Sequence, residues 1–135
     1  MRKSRYEFEM GRWLYKTFGG EIIIREERKD QLNPDYLWNG RFWDLKTISS
    51  EKAADAAVRK GIKQIRKNPG GIIIDGRSKG LNRGLLVSII ENRVRQKRYG
   101  SLDIIIIFDE NAFEVWRYNK KAPHPESGQG QPFCQ

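Results

Sequence analysis

The sequence predicts a single α/β domain, a mixed β-sheet flanked by helices, and three observations carry that prediction. The chain has 135 residues, the size of one average domain. Its apolar residues are bunched into the short runs Ile22–Ile24, Ile72–Ile74 and Ile104–Ile107, a pattern of buried strands. Between these runs lie segments of helical period, and a strand, a helix and a buried strand in succession imply a crossover and a mixed sheet. The expected order is α-β-β-β-α-β-α-β-β over residues 1–118, with residues 119–135 a disordered tail rich in Pro, Gly and Gln.

Residues 5–18 are read as the first helix. Tyr6, Met10, Trp13, Leu14 and Thr17 share one stripe, and Gly19-Gly20 stop it. The β-branched run 21–26 is the first strand. After a polar loop, Asp35–Trp38 and Arg41–Thr47 flank Asn39-Gly40, the strongest short hairpin signal, because both turn residues tolerate positive φ. Ser49 or Ser50 caps a second helix over 51–67, buried through Ala54, Val58, Ile62 and Ile65, and Pro69-Gly70-Gly71 end it. Residues 71–75 form a wholly apolar strand. A third helix spans 84–98 and buries Leu85, Leu86, Ile89, Ile90 and Val94. Residues 103–109 and 112–118 are the last two strands.

Composition narrows the function classes. Hydrophobic residues make up 38% and charged residues 32%, with a mean hydropathy of −0.74, which excludes disorder throughout only because the apolar residues are clustered. No apolar run approaches the ~20 residues that span a bilayer. The basic start, Met1 to Arg5, leads into Glu7 and Glu9 and not into an apolar signal core, so a cytoplasmic site of action is expected. One cysteine, Cys134, excludes an internal disulfide and fits a reducing compartment. The lone histidine, His124, lies between two prolines in the tail, where nothing orients the ring for catalysis.

Charge points to a polyanion. The net charge is +9, and the segment from Arg59 to Arg98 alone holds twelve basic residues against Asp75 and Glu91. Such concentration is the footprint of a nucleic-acid binder. Lys63, Arg77, Lys79 and Arg83 are its candidate phosphate contacts, which would give affinity without sequence readout.

The hairpin carries the candidate chemistry. A two-residue turn at Asn39-Gly40 pairs Trp38 with Arg41, Leu37 with Phe42, Tyr36 with Trp43 and Asp35 with Asp44. Lys46 lies on the face of Asp44, so Asp35, Asp44 and Lys46 gather together. Directly opposed carboxylates repel, and a bridging divalent cation, magnesium or manganese, would relieve them. Such a site suits phosphodiester hydrolysis. A surface hairpin with an ordinary Asp44–Lys46 pair is the plainer alternative. Tyr36, Trp38 and Trp43 fall on the other face and are expected to pack.

Pro34-Asp35 followed after the hairpin by Asp44-Leu45-Lys46 resembles the signature of the PD-(D/E)xK nuclease superfamily. The stretch from Asn33 to Thr47, followed by a basic helix with Gln64 and a Gly-Ile-Ile-Ile-Asp strand, resembles the C-terminal toxin domains of contact-dependent growth inhibition proteins. The resemblance implies a restriction-endonuclease-like fold and a metal-dependent nuclease, with RNA (transfer RNA in particular) ahead of DNA. It makes Asp35 and Asp44 metal ligands, Lys46 the catalytic lysine, and Glu9 (or Glu7) an added acid from the first helix. Thr47 and Gln64 would contact a phosphate or hold a water. A toxin would also need a cognate, acidic immunity protein. The alternatives are a metal-independent ribonuclease using Lys46, Thr47 and the 77–83 loop, a DNA endonuclease, or a non-catalytic nucleic-acid-binding module.

Overall fold

Asn39 and Gly40 adopt φ of 52° and 78°, and this turn sets the register of everything around it. A computed structural model describes residues 4–28, 31–77, 80–96, 100–109, 111–120 and 130–133. Strands β2 (Tyr36–Trp38) and β3 (Arg41–Thr47) pair across the turn in the register the sequence predicts, with Tyr36 opposite Trp43, Leu37 opposite Phe42 and Trp38 opposite Arg41. The Asn39 side chain accepts the Glu21 amide at 2.9 Å and ties the turn to the start of β1 (Ile22–Ile24), which pairs antiparallel with β2.

Helix α1 (Arg5–Phe18) matches its expected limits. Ser4 N donates to Glu7 Oε1 at the start, and Gly19 in positive φ donates its N–H back to Tyr15 O. Helix α2 (Ala53–Ile65) connects β3 to β4 (Pro69–Asp75), and α3 (Arg83–Arg95) connects β4 to β5 (Gly100–Asp109). Strands β3, β4 and β5 are parallel neighbours. They step across the sheet in one direction, so crossovers of one hand lay both helices on one face. Strands β6 (Ala112–Lys120) and β7 (Gly130–Phe133) follow antiparallel, completing a mixed sheet in sequential order from β1 to β7.

Alternation along the strands builds a core on each face. Ile72, Ile74, Ile104 and Ile106 pack under α2 and α3, whose Val58, Ile65, Leu86 and Ile90 are buried there. Tyr36, Trp38, Trp43, Leu45, Ile73 and Ile105 pack under Met10 and Leu14 of α1. The hairpin aromatics are therefore core, as their alternation implied.

Several expectations need correction. Pro69-Gly70-Gly71 do not punctuate the chain; they open β4, and their glycines are required by close approach. A Cβ on Gly71 would stand 2.4 Å from Asp103 O and 2.4 Å from the Trp43 ring. Leu85 is exposed, and the buried stripe of α3 runs through Leu86, Val87, Ile90 and Val94. Adjacent helical residues point about 100° apart, and docking against the sheet decides which of them turns inward. On α2, the cap residue is Lys52, although Ser50 Oγ does accept the Ala53 amide at 3.3 Å. Strand β7 lies in the stretch read as a disordered tail; residues 121–129 and 134–135, with His124 and Cys134, lie outside the described residues.

Candidate active site

Asp35 lies one residue before β2, directly across the hairpin from Asp44, by extension of the observed register. Its Oδ2 accepts the Leu45 amide at 2.7 Å, which fixes the carboxylate against β3. Asp44 points to the α2–α3 face and is only 2% exposed. Burial pushes its carboxyl up to about 7, and the charge of Asp35 and a hydrogen bond with Asp35 add to this, against Lys46. Lys46 Nζ stands 3.0 Å from Asp44 Oδ2. This ammonium is the ion-pair partner of an otherwise unpartnered buried oxygen. Two apposed carboxylates, a raised acid and a half-buried lysine thus occupy one corner of the sheet.

Gln64 of α2 reaches the same corner. Its Oε1 accepts the Asn33 amide at 2.6 Å and holds the chain immediately before Pro34-Asp35. Arg59, Lys60 and Lys63 of α2, with Arg66 and Lys67 just past its end, are exposed and form a cationic edge on the helix that carries Gln64.

A second cluster lies on the opposite face, at the ends of β3 and β4. Tyr6 donates to Asp75 Oδ2 at 2.7 Å, and its oxygen shares a 2.8 Å bond with Thr47 Oγ1. Arg77 donates to Asp75 through Nε (2.9 Å) and a terminal nitrogen (2.8 Å). Burial alone would raise the Asp75 carboxyl, but the bonds from Arg77 and Tyr6 together hold it below the ordinary range. Burial raises the Tyr6 hydroxyl further into its neutral form.

The sequence pattern of the contact-dependent growth inhibition CdiA C-terminal domain matches residues 31–113, more than half of the chain and all of the hairpin. This chain belongs to the CdiA C-terminal domain family. The described fold of this CdiA domain is also similar to a solved structure, a CdiA-CT/CdiI toxin and immunity complex from Burkholderia pseudomallei. The TM-score is 0.55 at 15% identity, covering 82% of this chain and 80% of that one. No curated protein matches the sequence.

The geometry of the CdiA domain sorts the residues singled out by sequence. Asp35, Asp44, Lys46 and Gln64 are brought together. Glu9 is not: it is exposed on α1, across the sheet from Asp44, and pairs with Arg5 at 2.9 Å. Glu7 serves the start of the same helix. Thr47 and Arg77 belong to the Tyr6–Asp75 cluster on the far face. Arg83 pairs with Glu114 at the edge of α3. Lys63 remains on the cationic edge, and Lys79 lies outside the described residues.

Asp75 and Tyr6 were missed by sequence reasoning, and no local pattern announces them. Residues Asp75 and Arg77 sit two apart, but the tyrosine that completes the set comes from α1, 69 positions away. Two grooves, of about 660 and 580 Å³, lie apart from the carboxylates, along α3 and beside Trp43. Chemistry and not concavity therefore locates the site.

Among the described residues no group of three or more carboxylate, histidine or cysteine side chains forms a ready metal cage. Asp35 and Asp44 nevertheless fit a hard divalent cation. They offer carboxylate oxygens from facing positions of the hairpin, and magnesium characteristically binds through one or two carboxylates while keeping waters and phosphate oxygens.

Proposed function

We propose that this CdiA C-terminal domain is a metal-dependent nuclease of the PD-(D/E)xK type, the toxin of a bacterial competition system. Its substrate on this reading is RNA, transfer RNA ahead of DNA. The observation that carries the proposal is the Asp35–Asp44–Lys46 corner: an acid raised to about 7 against a second carboxylate, with a lysine at 3.0 Å. A non-catalytic binder gains nothing from two carboxylates set beside its phosphates.

Asp35 and Asp44 would hold magnesium or manganese there. When bound, such an ion acidifies a water and neutralises charge on a phosphate. Lys46 keeps a positive charge beside the carboxylates, where it stabilises negative charge growing on the phosphate. The Leu45 amide holds Asp35, and Gln64 holds the segment that precedes it, so both acids are pre-set. The cationic edge of α2 would cradle neighbouring phosphates. Lys46 and Thr47 leave β3 on opposite faces, which favours the carboxylate site over a metal-free ribonuclease built from both.

The similar solved structure is a toxin and immunity complex. By the same logic this domain acts in the cytosol of a target cell and is neutralised by an immunity protein. An acidic one would cover the cationic edge of α2. Among the described residues no helix is long and apolar enough to cross a membrane.

Replacing Lys46 by Ala separates enzyme from binder. A nuclease loses cleavage of transfer RNA while keeping most of its affinity. Unchanged cleavage in that variant would sink the proposal.

A further inference from the structure

Arg25 continues β1 one step beyond its assigned end, because its amide donates to Asp35 O at 3.0 Å. The β1–β2 register then sets Arg25 opposite Asp35, and the β2–β3 register sets Asp35 opposite Asp44. One cation and two carboxylates therefore stand in a row across three neighbouring strands, their Cβ atoms about 4.5–5.5 Å apart at each step.

The faces agree with that row. Ile24 packs toward α1, so its neighbours Ile23 and Arg25 point to the face of Asp44. Ile23 is 49% exposed, so solvent reaches this face of β1 beside Arg25. The Arg25 guanidinium is held over the Phe42 ring, 4.8 Å from its centroid, and Phe42 lies two residues before Asp44 on the same face. One terminal nitrogen donates to Pro34 O at 3.3 Å. Its other nitrogens are unclaimed among the described residues. Stacking on an aromatic face fixes the plane of a guanidinium while leaving its outer edge free, an arrangement suited to a phosphate fork.

We propose that Arg25 is a substrate-binding residue of this site, a phosphate clamp that grips the RNA backbone beside Asp35 and Asp44. The inference rests on the nuclease reading and adds a residue to it. Phe42 is its positioning residue. The clamp would offset the negative charge of the two acids toward a polyanion.

The test compares Arg25→Gln, Arg25→Lys and Asp44→Ala in cleavage of transfer RNA with magnesium. It also measures salt-dependent binding of a single-stranded RNA oligonucleotide in an Asp44→Asn background. Arg25→Gln is expected to lose about 10- to 100-fold in kcat/KM, the worth of a charge-assisted phosphate contact. It should lower the slope of log K against log salt by about 0.7, one phosphate contact on a single strand. Arg25→Lys keeps the charge and the aliphatic stem, so it should fold like the parent, restore the slope and only part of the rate. A merely structural arginine would leave the slope unchanged in both variants. Wild-type rate and slope in Arg25→Gln, with cleavage lost in Asp44→Ala, would overturn the clamp and leave the nuclease standing. Full cleavage by Asp44→Ala would overturn the two-carboxylate site and the clamp placed beside it.

Discussion

Asp35 accepts the Leu45 amide at 2.7 Å and faces Asp44 across the hairpin, so β3 itself holds one acid against the other. The cost of that arrangement falls on Asp44, which is buried and raised to about 7. Between the ordinary aspartate value of about 3.9 and that raised one, the folded chain keeps a proton that the unfolded chain releases.

Stability of the metal-free protein should therefore fall as pH rises from about 4 to about 7 and level off once the raised group is deprotonated. Asp44→Asn removes that slope, because the amide carries no proton to lose. Urea midpoints at pH 5 and pH 8 measure both proteins. Equal slopes in the two would show that Asp44 is not the group responsible.

Magnesium should raise the melting temperature at pH 8 more than at pH 5, since binding to the native state stabilises it and protons compete for the same oxygens. The shift should vanish in Asp44→Asn. Thermal unfolding with and without millimolar magnesium reads this directly, independently of any cleavage.

Arg77→Ala should act on stability. It strips a bidentate partner from Asp75, whose side chain is 6% exposed, and losing charge-assisted bonds to a part-buried carboxylate costs about 2 kcal/mol. Tyr6→Phe removes one donor from the same carboxylate and should cost about 1 kcal/mol. Denaturant titration of both variants checks the order. The salt slope of RNA binding should hardly move in Tyr6→Phe.

Lys60→Ala with Lys63→Ala should do the reverse. Both side chains are exposed on α2, so stability should stay within about 0.5 kcal/mol of the parent. RNA binding should lose about 0.7 in salt slope for each lysine that meets a phosphate of a single strand. Arg83→Ala should change that slope less, because Glu114 already takes its charge. Fluorescence binding isotherms at several salt concentrations compare the three.

Local signals carried much of this architecture. Asn39-Gly40 demanded a two-residue turn, and the turn alone paired Asp35 with Asp44. The capping residues and stripe of α1 and the apolar run of β4 likewise wrote their own conformations. What stayed hidden depends on assembly. Gly70 and Gly71 look like punctuation until Trp43 is laid across them. Leu85 reads as core until α3 docks through Leu86 and Val87. Nothing local in the sequence joins Arg77 to Asp75 and Tyr6 across 69 positions, or says that α1 carries Glu9 on the face opposite Asp44. Arg25 carries no motif and acquires meaning only from three strands in register.

The most direct test of the two-carboxylate account is cleavage of total transfer RNA and of plasmid DNA by the purified domain, with magnesium, manganese or EDTA, beside Asp44→Ala. The account predicts that transfer RNA is cut only with a divalent ion and that the substitution abolishes cutting. RNA cleavage that persists in EDTA, or that survives in Asp44→Ala, would contradict it.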